Sequence, residues 1–205
     1  MTRSAQTKLY QLSSPVSGEI EVWQVGVERQ LLVNGSRQSI YRLDGSSRGY
    51  WKKLVPEREV RSALILGLGG GTAAKYLRKR WPGVRILGYE IDPEVVRVAT
   101  AYFDLDKGVE VRTEDFRNAL KLRELFDLII VDLYQGSQFV PEAEDFMFIK
   151  SLLGKLNSGG IVAFNRSPMF SDRAELIEFE KTLHSLFKTV RKEKADLNVI
   201  YWGET

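Results

Sequence analysis

Residues 63–72 read Ala63-Leu64-Ile65-Leu66-Gly67-Leu68-Gly69-Gly70-Gly71-Thr72, an unbroken apolar run that passes directly into four glycines within five residues. The run suits a parallel strand covered on both faces, where no position looks into water. The glycines suit a turn that lets backbone amides approach a ligand and feeds a helix whose N-terminus faces it. Ala73, Ala74, Leu77 and Trp81 then recur at helical spacing.

Outward from this unit the alternation repeats. Residues 84–90, 109–112, 128–131 and 161–164 read as further strands, the fourth strand of the series, Leu128-Ile129-Ile130-Val131, being the most apolar. Helices are expected after Asp92-Pro93, over 145–156 and over 172–187, with Ser158-Gly159-Gly160 ending the one over 145–156. Closing strands at 189–192 and 198–202 form a hairpin. The pattern predicts an α/β fold, a doubly wound Rossmann-like sheet that is mostly parallel with a C-terminal antiparallel strand.

Before residue 62 the rhythm differs. Glu19 to Trp23 alternates, Gln30 to Val33 follows, and Asn34-Gly35 is a turn dipeptide. A small antiparallel unit of two or three strands is expected over 16–43, preceded by a tail at 1–10. Ser46 or Ser47 would cap a short helix holding Tyr50, Trp51, Leu54 and Val55. The chain thus divides into a β unit with a short helix, 1–60, and a Rossmann-like domain, 61–205.

Composition narrows the function. The 205 residues carry 30 Lys and Arg against 27 Asp and Glu, a net +3, too balanced for a dedicated nucleic-acid binder. No Cys and one His exclude thiol catalysis and a multi-His centre, so no metal is expected. No apolar stretch approaches the roughly 18 residues of a membrane span, and a cytoplasmic protein is expected. The positive excess is local: residues 1–62 hold ten basic and six acidic side chains, residues 63–205 twenty and twenty-one.

In such sheets the ligand sits beyond the carboxyl ends of the strands, and unusual residues gather there. Glu90 closes the second strand, nineteen residues after Gly71, where a carboxylate can accept from both ribose hydroxyls. Asp92 competes for that role, although an Asp N-cap before Pro93 has a structural reason of its own. The third strand ends in Glu114-Asp115-Phe116, an acid for an adenine amino group or a helix cap, with an aromatic ring for the base. The fourth ends in Asp132, costly to bury without a partner. Position 72 is Thr where a dinucleotide fingerprint would have Gly, and the constellation fits an adenosyl-sulfonium donor better than a nicotinamide. Arg166, after the fifth strand, is a candidate rim cation for an anionic acceptor.

These residues resemble the spermidine synthase family and its class I S-adenosylmethionine-dependent methyltransferase relatives. The resemblance covers roughly residues 16–165: Leu66 to Gly71 is similar to the family's glycine loop, Gly88-Tyr89-Glu90-Ile91-Asp92 to its second-strand acid, Phe126 to Asp132 to its fourth strand, and Asn34-Gly35-Ser36-Arg37-Gln38 to an Asp-Gly-x-x-Gln segment of the β unit. It implies a methyltransferase-type sheet. It further implies a donor, S-adenosylmethionine or its decarboxylated form, held by Gln38, Gly67, Leu68, Gly69, Gly70, Gly71, Thr72, Glu90, Ile91, Glu114, Asp115, Phe116 and Asp132.

The departures concern the acceptor. The family has acids directly after the glycines, in an Asp-Ser-Ser-Asp type loop and in a Tyr-His-Glu type segment. Here stand Thr72, Asp132-Leu133-Tyr134-Gln135 and Tyr50-Trp51-Lys52-Lys53. Gln135 cannot accept a proton. Methyl transfer to a neutral or anionic small-molecule acceptor is therefore expected over aminopropyl transfer to putrescine, with Asp132, Tyr134 and Gln135 as the acceptor-side residues. An aminopropyltransferase would need a relocated acid, Glu142 or Glu144, and a non-catalytic binding module is the third reading. Family members suggest a homodimer, with Trp23 and Trp51 at an interface.

Overall fold

The computed structural model describes residues 6–105 and 108–205. The first sheet is antiparallel, in the order β1 (Gln6–Ser14), β2 (Gly18–Val25), β3 (Glu28–Val33), β4 (Ser36–Arg42). It has four strands rather than two or three, because Gln6 to Ser14 pairs along the whole of β2. The expected tail is therefore a strand from Gln6 onward, and residues 1–5 lie outside the described residues. Asn34 (φ 49) and Gly35 (φ 73) take the left-handed conformations of the hairpin turn between β3 and β4.

The short helix is a 3₁₀ turn, Tyr50–Leu54, and neither Ser46 nor Ser47 caps it. Its N-cap is Gly49, and the Ser46 hydroxyl is held by Asp44 and Arg42 instead. Trp51, expected at an interface, is buried, with its ring stacked on Tyr50 at 4.2 Å.

From Ser62 the chain alternates as its hydrophobic pattern dictates: β5 (Ser62–Leu66), α1 (Thr72–Arg80), β6 (Arg85–Glu90), α2 (Pro93–Tyr102), β7 (Val109–Thr113), β8 (Phe126–Val131). A two-stranded hairpin, β9 (Tyr134–Gln135) and β10 (Gln138–Phe139), follows, then α3 (Phe146–Leu153), β11 (Leu156–Arg166), α4 (Arg173–Leu186), β12 (Thr189–Ala195) and β13 (Asn198–Glu204). Helix α3 stops at Gly154, earlier than expected. Ser158-Gly159-Gly160 lies instead in an irregular stretch of β11, between its contacts at Leu156 and Ile161.

The seven-stranded sheet has the order β12-β13-β11-β8-β5-β6-β7, parallel from β7 to β11, with β13 antiparallel to β11. Successive strands step outward from β5 to β7, and β8 returns on the other side of β5. The strand order reverses there, so a crevice opens above Leu66 and Val131. Leu64, Leu66, Ile129 and Val131 are buried in the core on one side of the sheet, Ile65 and Ile130 in that on the other, which is why these strands read as unbroken apolar runs.

The β unit closes over this crevice. Ile20, Val22, Leu31 and Val33 pack with Val95, Val98 and Phe103 of the second helix and its end. Ser39 accepts from the Gly70 amide at 2.7 Å, and the Thr72 hydroxyl bridges the Ile40 amide and carbonyl at 3.1 and 2.9 Å. Among the described residues no helix is long and apolar enough to cross a membrane.

Candidate active site

Two adjoining cavities lie at the switch point. The first, about 330 Å³, is lined by Gly67, Leu68 and Gly69, by Glu90 and Ile91, by Glu114, Asp115, Phe116 and Arg117, by residues 132–136, and from the β unit by Val16, Ser17, Val33 and Gln38. That volume falls in the range of small-ligand sites, roughly 300–1,000 Å³.

The glycine loop is shaped by close approach. A Cβ on Gly67 would lie 2.2 Å from the Asp132 carbonyl oxygen, so the loop crosses the end of β8 where no side chain fits. Gly67 and Leu68 donate their amides to the Tyr89 carbonyl, both at 3.0 Å, and Gly71 donates to Leu68 at 2.9 Å. Gly70, Gly71 and Thr72 are expected at the donor, but the structure turns them to the protein. Their polar groups are taken by Ser39, Leu68 and Ile40, and none of the three lines the cavity.

Glu90 accepts from the Gly69 amide at 2.9 Å and the Asp92 amide at 3.2 Å, which fixes its carboxylate in the cavity wall. Desolvation raises its pKa, against the pull of those amides. Asp92 is fully buried and caps α2 through the Glu94 amide at 2.8 Å; of the two acids, Glu90 lines the cavity and Asp92 does not. Asp115 accepts from the Arg117 amide at 2.8 Å and pairs with its guanidinium, which holds the carboxyl below the usual range. Glu114 is the less committed of the two acids, accepting among the described residues only from Asn118 at 3.3 Å. Phe116 presents a buried ring, set edge-on to Phe148 at 5.2 Å.

At the other end of this cavity stands Asp132. Asn165 donates to one carboxylate oxygen at 2.7 Å and the Tyr50 hydroxyl to the other at 3.0 Å; Asn198 in turn donates to Asn165 at 2.7 Å. Burial nevertheless pushes the Asp132 carboxyl up to about 6, and burial together with the neighbouring Asp132 charge raises the Tyr50 phenol. Tyr134 hydrogen-bonds the Asn165 carbonyl at 3.3 Å and meets Phe139 edge-on. Gln135 is exposed and makes no side-chain hydrogen bond among the described residues. Sequence reasoning missed Tyr50, Asn165 and Asn198. A buried Asn closing the apolar strand β11 was the signal available for one of them.

The second cavity, about 620 Å³, shares Gln38, Tyr50, Trp51, Tyr134 and Gly136 with the first. Gln38 donates to the Gly136 carbonyl at 2.7 Å along this shared wall. Lys52 and Lys53 reach neither cavity, and Lys53 pairs with Glu193. Arg166, the expected rim cation, is buried over Phe139 at 4.1 Å and paired with Glu144, which removes both groups from the acceptor side. Glu142 lines the first cavity. Among the described residues no three His, Cys, Asp or Glu side chains converge as a metal site.

An adenosyl donor fits this chain. Glu90 offers a fixed acceptor for ribose hydroxyls, Ile91, Phe116, Leu133 and Val140 an apolar wall for a base, and Asp132 marks the end nearest the second cavity.

No protein-family model matches the chain. It is 32% identical over 168 residues to a polyamine aminopropyltransferase of Corynebacterium efficiens, covering 75% of this chain and 32% of that protein. It is 25% identical over 159 residues to the eEF1A lysine and N-terminal methyltransferase of Xenopus laevis, covering 71% and 22%. The chain spans between 22% and 40% of the length of the curated relatives it matches. In fold it matches a spermidine synthase in complex with the transition-state analogue AdoDATO, with a TM-score of 0.81 at 15% identity over 96% of this chain and 73% of that one. Human methyltransferase-like protein 13 in complex with SAH gives 0.63 at 20% identity over 74% of each. The relatives are enzymes of both kinds; the chain resembles them in sequence and shares the fold of the spermidine synthase and methyltransferase structures.

Proposed function

We propose that this chain is an S-adenosylmethionine-dependent methyltransferase with a small-molecule acceptor. The observation that carries the reading is the acceptor side: Asp132 is bonded to Tyr50 and Asn165 of the second cavity, position 135 is an exposed amide, and the carboxyl lining the second cavity, Asp196, is offset by Arg37 in the same lining. A diamine asks for a carboxylate at each end, and a methyl acceptor asks for one proton acceptor at most.

The donor, when bound, supplies an electrophilic methyl group on a sulfonium. Glu90 and the glycine turn hold its position, and orientation supplies much of the acceleration in such a displacement. Tyr50 and Asn165 hold Asp132 in place, and with a pKa near 6 it is ionised at neutral pH and can take a proton from an acceptor amine. Calorimetry with S-adenosylmethionine and S-adenosylhomocysteine tests the reading: micromolar binding is expected, and no binding of either overturns it.

Aminopropyl transfer is the second reading, and one observation favours it. The amides of residues 67 to 71 all donate within the protein, which leaves none of them for the donor's carboxylate. Decarboxylated S-adenosylmethionine has no such group. Release of methylthioadenosine from that donor and putrescine would establish this activity; none is expected.

A further inference from the structure

We propose that the second cavity is the acceptor site and takes an amino-carboxylate, a small molecule with an amine at one end and a carboxylate at the other. This rests on the transferase function proposed above.

Arg37 and Asp196 are the charged residues lining this cavity. Their charges cancel, so the chamber has no negative excess with which to draw in a polycation. The Arg37 side chain has neither an ion-pair nor a hydrogen-bond partner among the described residues, and it lines this cavity together with Tyr50. That phenol in turn donates to Asp132. The second cavity therefore holds both the cation and the phenol, and the phenol's hydrogen bond leads on to the carboxyl of the first.

An acceptor lying along this line meets complementary charge at both ends, its amine towards Asp132 and its carboxylate towards Arg37. A diamine of the same length would bring its second ammonium into a chamber where Arg37 offsets Asp196, and it would gain no net attraction there. The lining also carries neutral amides: Asn34 and Asn165 are held by Ser17, Glu19, Asp132 and Asn198, and the side-chain oxygens of Gln30 and Asn198 can serve a polar chain without adding charge. In the transfer, the amine nitrogen bonds to the methyl carbon as the carbon–sulfur bond breaks. Its proton passes to Asp132, and S-adenosylhomocysteine leaves. The Gln38–Gly136 hydrogen bond lies on the wall between the chambers, so Gln38 is the side chain that must accommodate the acceptor's amine end.

The test uses the whole chain saturated with S-adenosylhomocysteine, titrated calorimetrically with 4-aminobutanoate and 1,4-diaminobutane and with 3-aminopropanoate and 1,3-diaminopropane. Each pair differs only in the charge of one end. The amino-carboxylate of at least one pair is expected to bind about tenfold tighter than its diamine, and Arg37→Gln to erase that preference. S-adenosylhomocysteine binding by the variant reports that it is folded. The inference is overturned if the diamines bind as tightly, if the preference survives in Arg37→Gln, or if no acceptor binds while S-adenosylhomocysteine does. That last outcome leaves the donor site standing, whereas failure to bind S-adenosylhomocysteine overturns the transferase reading and this inference with it.

Discussion

Two carboxyls at neighbouring strand ends have different tasks because their partners differ. Glu90 is gripped by backbone amides that cannot move with it, and a grip of this kind suits recognition. Replacing it with Gln keeps the shape but removes the charged acceptor; S-adenosylhomocysteine affinity should fall about tenfold or more in calorimetry, with little change in melting temperature. Asp132 is gripped by side chains and has a pKa near 6, which suits proton transfer. The transfer rate should rise with pH through about 6 and lose that limb in Asp132→Asn. Stability changes in the opposite sense. The folded state keeps the Asp132 proton to a higher pH than the unfolded chain, whose carboxyl titrates near 3.8, so this group's contribution declines as pH rises from about 4 to 6. Denaturation of wild type and Asp132→Asn across that window should show about 1–2 kcal/mol of this decline in wild type only.

The glycine turn between β5 and α1 is fitted to its neighbours from both directions. On one side it touches β8: in Gly67→Ala the new Cβ would meet backbone at 2.2 Å, and the position also needs φ +85. That substitution should destabilise by roughly 3 kcal/mol or more, read as a lower denaturation midpoint. On the other side the turn is tied to β4 through Ser39 and Thr72. Thr72→Val keeps the volume and leaves the Ile40 amide and carbonyl without their partner, a loss of about 1–3 kcal/mol; faster hydrogen exchange at residues 39–41 would localise it. A Thr after the glycines reads in sequence as a lost recognition residue. In the fold it ties the start of α1 to β4, because its hydroxyl is taken by the Ile40 amide and carbonyl.

At the scale of the whole molecule, the β unit and the α/β sheet share both a core and a site. Val95, Val98 and Phe103 are buried by side chains of the first sheet, and Val16, Ser17, Val33 and Gln38 complete the first cavity. Calorimetric unfolding is expected to give one cooperative transition. A fragment holding residues 61–205 alone should expose that apolar face and fail to bind S-adenosylhomocysteine, whereas two separate transitions would contradict a shared core.

The strands and helices from Ser62 onward were legible because burial on both faces forces continuous apolar runs, and amphipathic helices repeat near 3.6 residues. The sequence also marked Glu90 and Asp132, since an acid at the end of so apolar a strand needs a reason, and the positive φ of the glycine turn, which only glycine adopts readily. Edges and partners were not legible. β1 looks like a tail because an edge strand of charged and polar residues owes its existence to its neighbour. Arg166 looks like a rim cation, and only the stacking of Phe139 and the arrival of Glu144 make it a buried one. Lys52 and Lys53 look like an acceptor-site feature until the 3₁₀ turn points them away. Composition, periodicity and strand-end chemistry determined the sheet and the acids at its rim, because those are local or one-dimensional constraints. Which of those acids face a ligand, and what each carboxyl is bonded to, was decided by tertiary structure, because residues as far apart as Tyr50, Asp132, Asn165 and Asn198 meet only once the chain is folded.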